Sequence, residues 1–185
     1  MADKKYIILH HSASKSKKPQ FDMINSVHKK KKFPKSELNF YGGYNYLVER
    51  DGTIRKYREE HEKGAHTNAK FTIHHLNYYG IGICLAGSFD KEDPTKEQIT
   101  SLNRLVVGIQ ERHDIPDGNI LLHRDVKATA CPGQDLKEMI LKEREKPVDL
   151  FTRLKQLIHA LGIVSDKRRR GIIARTIKRI QKRIG

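Results

Sequence analysis

Cysteine is scarce in this 185-residue chain, with only Cys84 and Cys131 present. A dense disulfide framework is therefore excluded, and the length is sufficient to bury a core without such staples. The two could pair, but nothing in the sequence requires it. Cys84 lies in the apolar run Ile81-Gly-Ile-Cys-Leu-Ala86, which reads as a buried strand, so an inert core thiol is expected there. So few cysteines favour a reducing compartment. Long apolar runs are missing as well. None approaches the ~20 residues of a membrane-spanning helix, and the short apolar segment after Met1-Ala-Asp-Lys-Lys-Tyr6 does not make a secretory signal. The expectation is synthesis in the cytoplasm, with any target outside it reached after release by another factor.

Acidic residues are almost absent from one end. Residues 151–185 hold 11 Lys or Arg against the single acid Asp166, while residues 1–150 hold 26 basic and 21 acidic residues. The net charge of +15 is thus concentrated in the tail. Such a field suits polyanions: an anionic membrane, an anionic wall polymer or, in second place, nucleic acid. The tail divides into two amphipathic helical patterns. Leu150, Leu154, Leu157, Ile158 and Leu161 form the first, Gly162 breaks it, and Ile173, Ile177, Ile180 and Ile184 stripe the second among lysines and arginines. There is no internal repeat. The chain reads as one domain over residues 1–147 with a basic amphipathic helical extension over 148–185.

Within the domain, Tyr6-Ile-Ile-Leu-His-His11 predicts a central strand that places His10 on one face with Ile8 and His11 on the other. Residues 19–32 predict a helix with Phe21, Ile24, Val27 and His28 on one face and a lysine-rich end, stopped by Pro34. Tyr44–Arg50 and Thr53–Tyr57, joined by Asp51-Gly52, predict a hairpin. Residues 58–79 read as a long polar loop. A strand at Ile81–Ala86, a helix from Pro94-Thr95 to about Arg112 and a short strand at Asn119–His123 complete the pattern. The alternation predicts an α/β fold with a central mixed sheet flanked by helices.

Chemistry gathers at strand ends. His123 and Cys131 stand eight residues apart on a segment that reads as too broken for a helix, with Pro132-Gly133 forcing a turn. An imidazole and a thiolate suit zinc, and His10 offers a third ligand if the first and last strands are neighbours. Three protein ligands and one open position describe a catalytic rather than a structural zinc site. Taken alone, His123 and Cys131 more often never meet, because a free cysteine behaves mostly as a small hydrophobe; His10 is what changes that reading.

Five blocks in order carry a resemblance: Ile8-Leu-His-His-Ser-Ala13, Gly43-Tyr-Asn-Tyr-Leu-Val-Glu-Arg-Asp-Gly52, Gly64-Ala-His-Thr67, Ile81-Gly-Ile-Cys-Leu-Ala-Gly87, and His123 through Cys131-Pro-Gly133. Over residues 4–140 the chain resembles the zinc-dependent N-acetylmuramoyl-L-alanine amidases, the family of small phage lysozyme-amidases and peptidoglycan recognition proteins. The resemblance implies one Zn2+ held by His10, His123 and Cys131, with Tyr44 and Thr129 as catalytic donors. His66 matches a histidine in the loop that borders the cleft, and His66 and Asn45 are expected to contact substrate. The implied reaction is hydrolysis of the amide between the muramic acid lactyl group and the first L-alanine of the stem peptide in peptidoglycan. Zinc would acidify a bound water, Tyr44 would orient it or stabilise the oxyanion, and Thr129 would donate to the same oxyanion. The implied setting is that of a phage or prophage endolysin. The sequence departs from the family at Asn45, where many relatives have His, at Gly80, where many have Ser, and at position 129, which carries no lysine although Lys127 is near. A non-catalytic peptidoglycan-binding module with a membrane-active or nucleic-acid-binding tail is the alternative, and Cys131 speaks against it. His28, His61, His113 and His159 carry no expected role. His74 and His75 are expected to be solvent-exposed loop residues.

Overall fold

The computed structural model describes residues 3–67 and 75–145. The expected helices of residues 148–185, and His74 in the long loop, lie outside the described residues. By their internal contacts the residues divide into Met1–Glu143 and Arg144–Gly185; the sheet and the functional site belong to the first unit.

Five strands form one sheet in the order β3-β2-β4-β1-β5. β1 (Tyr6–His11) lies between β4 (Gly80–Leu85) and β5 (Ile120–Leu122), parallel to both. β2 (Tyr46–Val48) runs parallel to β4 and antiparallel to β3 (Ile54–Lys56). The sheet is therefore mixed, as its sequence pattern requires. β1 and β4 are apolar on both faces because both faces are covered. On one face Ile7, Leu9, Ile81, Ile83 and Leu85 pack against Leu102, Val106 and Ile109 of α3 (Lys96–His113) and against Leu136 and Ile140 of α5 (Leu136–Glu145). On the other, Leu47, Cys84 and Ala86 meet Phe21 and Ile24 of α1 (Phe21–Lys30) together with Tyr57.

The helices start where local chemistry satisfies their free N–H groups. Thr95 and Gln98 form a reciprocal capping box at α3. α1 has no side-chain cap of its own. Instead the buried Glu49 carboxylate, carried in from just beyond β2, accepts the N–H groups of Gln20 and Phe21 at 2.9 Å each. The hairpin is shorter than its sequence pattern, with pairing confined to three residues a side, Tyr46↔Lys56 to Val48↔Ile54. Gly52 supplies the left-handed turn residue at φ +82°. Part of the long polar loop is ordered into a turn of helix, α2 (Leu76–Tyr79), which leads directly into β4. A second correction concerns His123. It opens a one-turn helix, α4 (His123–Val126), because the Asp125 carboxylate accepts the Leu122 N–H at 2.7 Å and closes the turn locally.

Candidate metal centre and active site

The parallel register sets the site. Leu9 pairs with Leu122, so the residues that follow, His10 in β1 and His123 directly after β5, stand side by side at the carboxyl ends of these strands. Their ring centroids are 4.4 Å apart. The following loop then doubles back. The Arg124 N–H donates to the Cys131 carbonyl at 2.8 Å, and the Arg124 guanidinium donates to the Gly133 carbonyl at 2.7 Å. Gly133 closes the turn in the left-handed region, at φ +82°, where a side chain would collide with the Phe89–Asp90 backbone. This returns Cys131 to β1, where its Sγ accepts the His11 N–H at 3.4 Å and lies 3.9 Å from His10 Nδ1.

His10, His123 and Cys131 each offer one ligand atom, all within 4.8 Å of one another. The donor set is two imidazoles and a thiol, which suits a borderline-soft, tetrahedral cation such as zinc. His123 Nε2 is buried and has no hydrogen-bond partner, as a nitrogen reserved for a metal would be. Burial pushes the His10 imidazole well below its ordinary range, with His66 and His123 adding to the effect, and burial also lowers His123. Both rings are then neutral, the form that ligates metals. Burial raises the Cys131 thiol to about 11 against the opposing pull of the His11 N–H and Arg124, so the metal-free site holds its proton and metal binding releases it. The residues present fit the cation.

Tyr44 lies beside this group, its ring 5.1 Å from His10. Burial raises its hydroxyl well above the usual phenol range, and the Cys84 and Cys131 sulfurs act in the same direction. It is therefore a protonated donor at neutral pH. Thr129 is half-buried two residues before Cys131; its Oγ1 accepts the Cys131 N–H at 3.3 Å, leaving its O–H to donate elsewhere. Cys84 is a free, fully buried core thiol.

Two expected substrate contacts are placed differently. Asn45 is fully buried: its Oδ1 accepts the Gly82 N–H at 3.0 Å and its Nδ2 donates to the Glu59 carbonyl at 2.8 Å. It ties β2 to β4 and presents no surface to a ligand. His66 does reach the site, but from behind. It is 8% exposed, and its Nδ1 lies 3.0 Å from His10 Nε2, so its polar contact is a candidate metal ligand rather than the cleft. His28, given no role from sequence, turns out to matter. Its Nδ1 accepts the Gly43 N–H at 2.9 Å, and its ring stacks on Phe33 and stands 5.6 Å from Tyr44. It thus fixes the backbone that carries Tyr44. The signal was available, since His28 falls on the inward stripe of α1 with Phe21 and Ile24. His75 is exposed, as expected, and so is His61, to which no role was assigned.

The family model described as N-acetylmuramoyl-L-alanine amidase matches residues 2–134. The chain belongs to that amidase family. Its sequence is similar to the endolysin of Enterobacteria phage T3, 34% identical over 101 residues, which is 51% of this chain and 61% of that protein. The endolysin of Escherichia phage T7 is similar at 33% over the same number of residues, again 61% of its length. This amidase-family chain thus spans about three fifths of those phage proteins. Among solved structures, the N-acetylmuramoyl-L-alanine amidase LysC from Clostridium intestinale superposes with a TM-score of 0.62 at 28% identity, covering 77% of this chain and 86% of that one. A peptidoglycan recognition protein LE, solved in complex with tracheal cytotoxin (a monomeric diaminopimelic acid-type peptidoglycan), gives 0.61 at 28% identity, covering 77% and 81%.

Proposed function

We propose that this chain is a zinc-dependent peptidoglycan amidase, hydrolysing the bond between N-acetylmuramic acid and the L-alanine of the stem peptide in the manner of an endolysin. The observation that carries the reading is the convergence of His10, His123 and Cys131 on one point, with the Tyr44 phenol beside them. His10, His123 and Cys131 would hold the metal and leave a position open, since three protein ligands do not complete a tetrahedron. Bound zinc supplies an acidified water and a Lewis acid for the scissile carbonyl. Tyr44, kept protonated by its surroundings, donates a hydrogen bond to the oxygen on which negative charge develops. Thr129 stands two residues before Cys131 on the same loop and would donate to the same oxygen. Because a thiolate ligand offsets part of the cation's charge, these donors carry more of the stabilisation. Peptidoglycan as substrate is supported by the endolysin relatives and by the wall fragment bound to the recognition protein.

The decisive experiment measures zinc per chain and release of stem peptides from purified peptidoglycan, for the wild type and for Cys131→Ala. One zinc and peptide release in the wild type, both lost in the variant, is the expected result. A folded wild type that binds walls yet holds no zinc and releases no peptides would overturn the amidase reading in favour of a binding module. The basic extension over residues 148–185 is proposed to hold the enzyme on anionic wall polymer or membrane, in preference to nucleic acid. Removing it should reduce killing of intact cells and spare hydrolysis of purified walls. Among the described residues, no helix is long and apolar enough to cross a membrane.

A further inference from the structure

A metal-ligating histidine usually donates its second ring N–H to a carboxylate, a backbone carbonyl or water, which fixes its tautomer and its orientation. Here the second nitrogen of His10 meets another histidine. His10 Nε2 lies 3.0 Å from His66 Nδ1, while His10 Nδ1 faces the Cys131 Sγ. One nitrogen of the pair must carry the proton and the other a lone pair. If His10 is to present a lone pair at Nδ1, its proton sits on Nε2 and His66 must accept it.

The fold makes a slot for that acceptor. A Cβ on Gly82 would lie 2.6 Å from His66 Cδ2 and 2.7 Å from Cγ, and a Cβ on Gly64 would lie 2.5 Å from the same Cδ2. Both glycines are there because the imidazole needs the space. The segment carrying His66 is pinned from beneath by one side chain. Asn77 Oδ1 accepts the N–H of His66 at 2.9 Å and that of Thr67 at 3.0 Å, and the Asn77 carbonyl accepts the Gly64 N–H at 2.7 Å. His66 is thus walled in by two glycines with its Nδ1 against His10, and its Nε2 is buried without a hydrogen-bond partner.

We propose that His66, held in the Gly64–Gly82 slot by Asn77, is a positioning residue that accepts the His10 Nε2–H and so commits His10 to ligate through Nδ1. This rests on the zinc reading and adds to it the atom by which His10 binds. Asn77, on α2, becomes a remote support of the metal site without touching it.

The test uses zinc affinity, read by competition with a chromophoric chelator, and imidazole nitrogen NMR of the zinc-loaded wild type. His66→Leu keeps bulk and removes the acceptor, and should weaken zinc binding by about 10- to 100-fold. His66→Asn restores an oxygen near the Nδ1 position and should recover most of that loss. Asn77→Ala, which frees the segment, should fall between them. In the wild-type spectrum His10 should show a metal shift at Nδ1 and a slowly exchanging proton on Nε2. Zinc affinity within twofold of wild type for His66→Leu, or metal on Nε2 of His10, would overturn the proposal. The NMR result stands even if a variant does not fold. A wild type that binds no zinc sinks the amidase reading itself, a separate outcome visible before any variant is made.

Discussion

The two faces of the sheet divide the work. Toward α3 and α5 the strands present Ile7, Leu9, Ile81, Ile83 and Leu85, all fully buried. On the opposite face of the same two central strands stand Ile8, His10, Gly80, Gly82 and Cys84. One face is filled by branched aliphatic side chains to the density of a core. The other is kept small along β4, so that His66 and the Tyr44 ring can lie over it, and becomes polar only at the carboxyl end of β1. Ligand sites of open α/β sheets collect at that end of the strands. Period-two alternation lets one strand serve packing and chemistry at once, because a substitution one residue away falls on the other face.

Breaking each face separately should therefore give opposite phenotypes. The largest loss of stability is expected on the packed face. Ile83→Ala removes a fully buried side chain that β4 packs against α3 and should cost about 2–5 kcal/mol in chemical denaturation. Zinc content of the molecules that remain folded should not change. If Ile83→Ala instead lost zinc stoichiometry while its unfolding midpoint held, the division between the faces would be wrong.

On the other face the converse is expected. Tyr44→Phe deletes one hydroxyl donor and leaves the ring packed near His10 and His28. Turnover on purified peptidoglycan should drop by about 100- to 1,000-fold, as for other single oxyanion donors. Zinc affinity and thermal midpoint should stay near wild type. A loss of binding to the wall with turnover per bound molecule unchanged would move Tyr44 from catalysis to substrate recognition.

Sequence reasoning reached the strands and helices α1 and α3 because each follows from local pattern, but not α5, which is as long as α1; the grouping of His10, His123 and Cys131 was expected from strand ends only together with the family resemblance. Alternation and apolar runs predict the strands, and a shared sheet brings strand ends together. It misplaced Asn45, because strand position alone does not say whether a side chain is spent on a neighbouring backbone. Nor did it find what lies behind His10. The pattern Gly80-x-Gly82-x-Cys84 does carry a signal, for three small residues on one face of a buried strand imply that something bulky lies there. What that is depends on a contact between residues 64–66 and 82, which no local pattern encodes. The Asn45 correction is itself testable. Asn45→Ala would leave the buried Gly82 N–H and Glu59 carbonyl without partners, a loss of about 1–3 kcal/mol. Its effect should appear in the unfolding midpoint, and the affinity of the folded protein for wall fragments should be retained. Selective loss of that affinity would return Asn45 to the substrate site.

The smallest effect is expected from the charged knot at the margin of the packed face. Glu60 accepts hydrogen bonds from the Tyr46 hydroxyl at 2.6 Å and the Arg112 guanidinium at 2.6 Å, and lies 2.7 Å from His113 Nε2. It thereby ties the loop after β3 to the last turn of α3. Burial opposes ionisation of this carboxyl, but the hydrogen bonds from Arg112, Tyr46 and His113 outweigh it and hold the group down at about 2, from an ordinary 4.5. The unfolded chain, with the ordinary value, takes up its proton first as the pH falls. The stabilisation is therefore full above the ordinary value and is lost as the pH drops from about 4.5 to about 2. Arg112 is half exposed, so solvent screens the pair, and a contribution on the order of 1 kcal/mol at neutral pH is expected. Glu60→Gln should lower stability by that amount at pH 7 and by nothing near pH 2. Its curve of stability against pH should be flatter than wild type between those limits. Parallel curves for the two proteins would mean that the charge on Glu60 is irrelevant and that only the shape of the knot holds α3 in place.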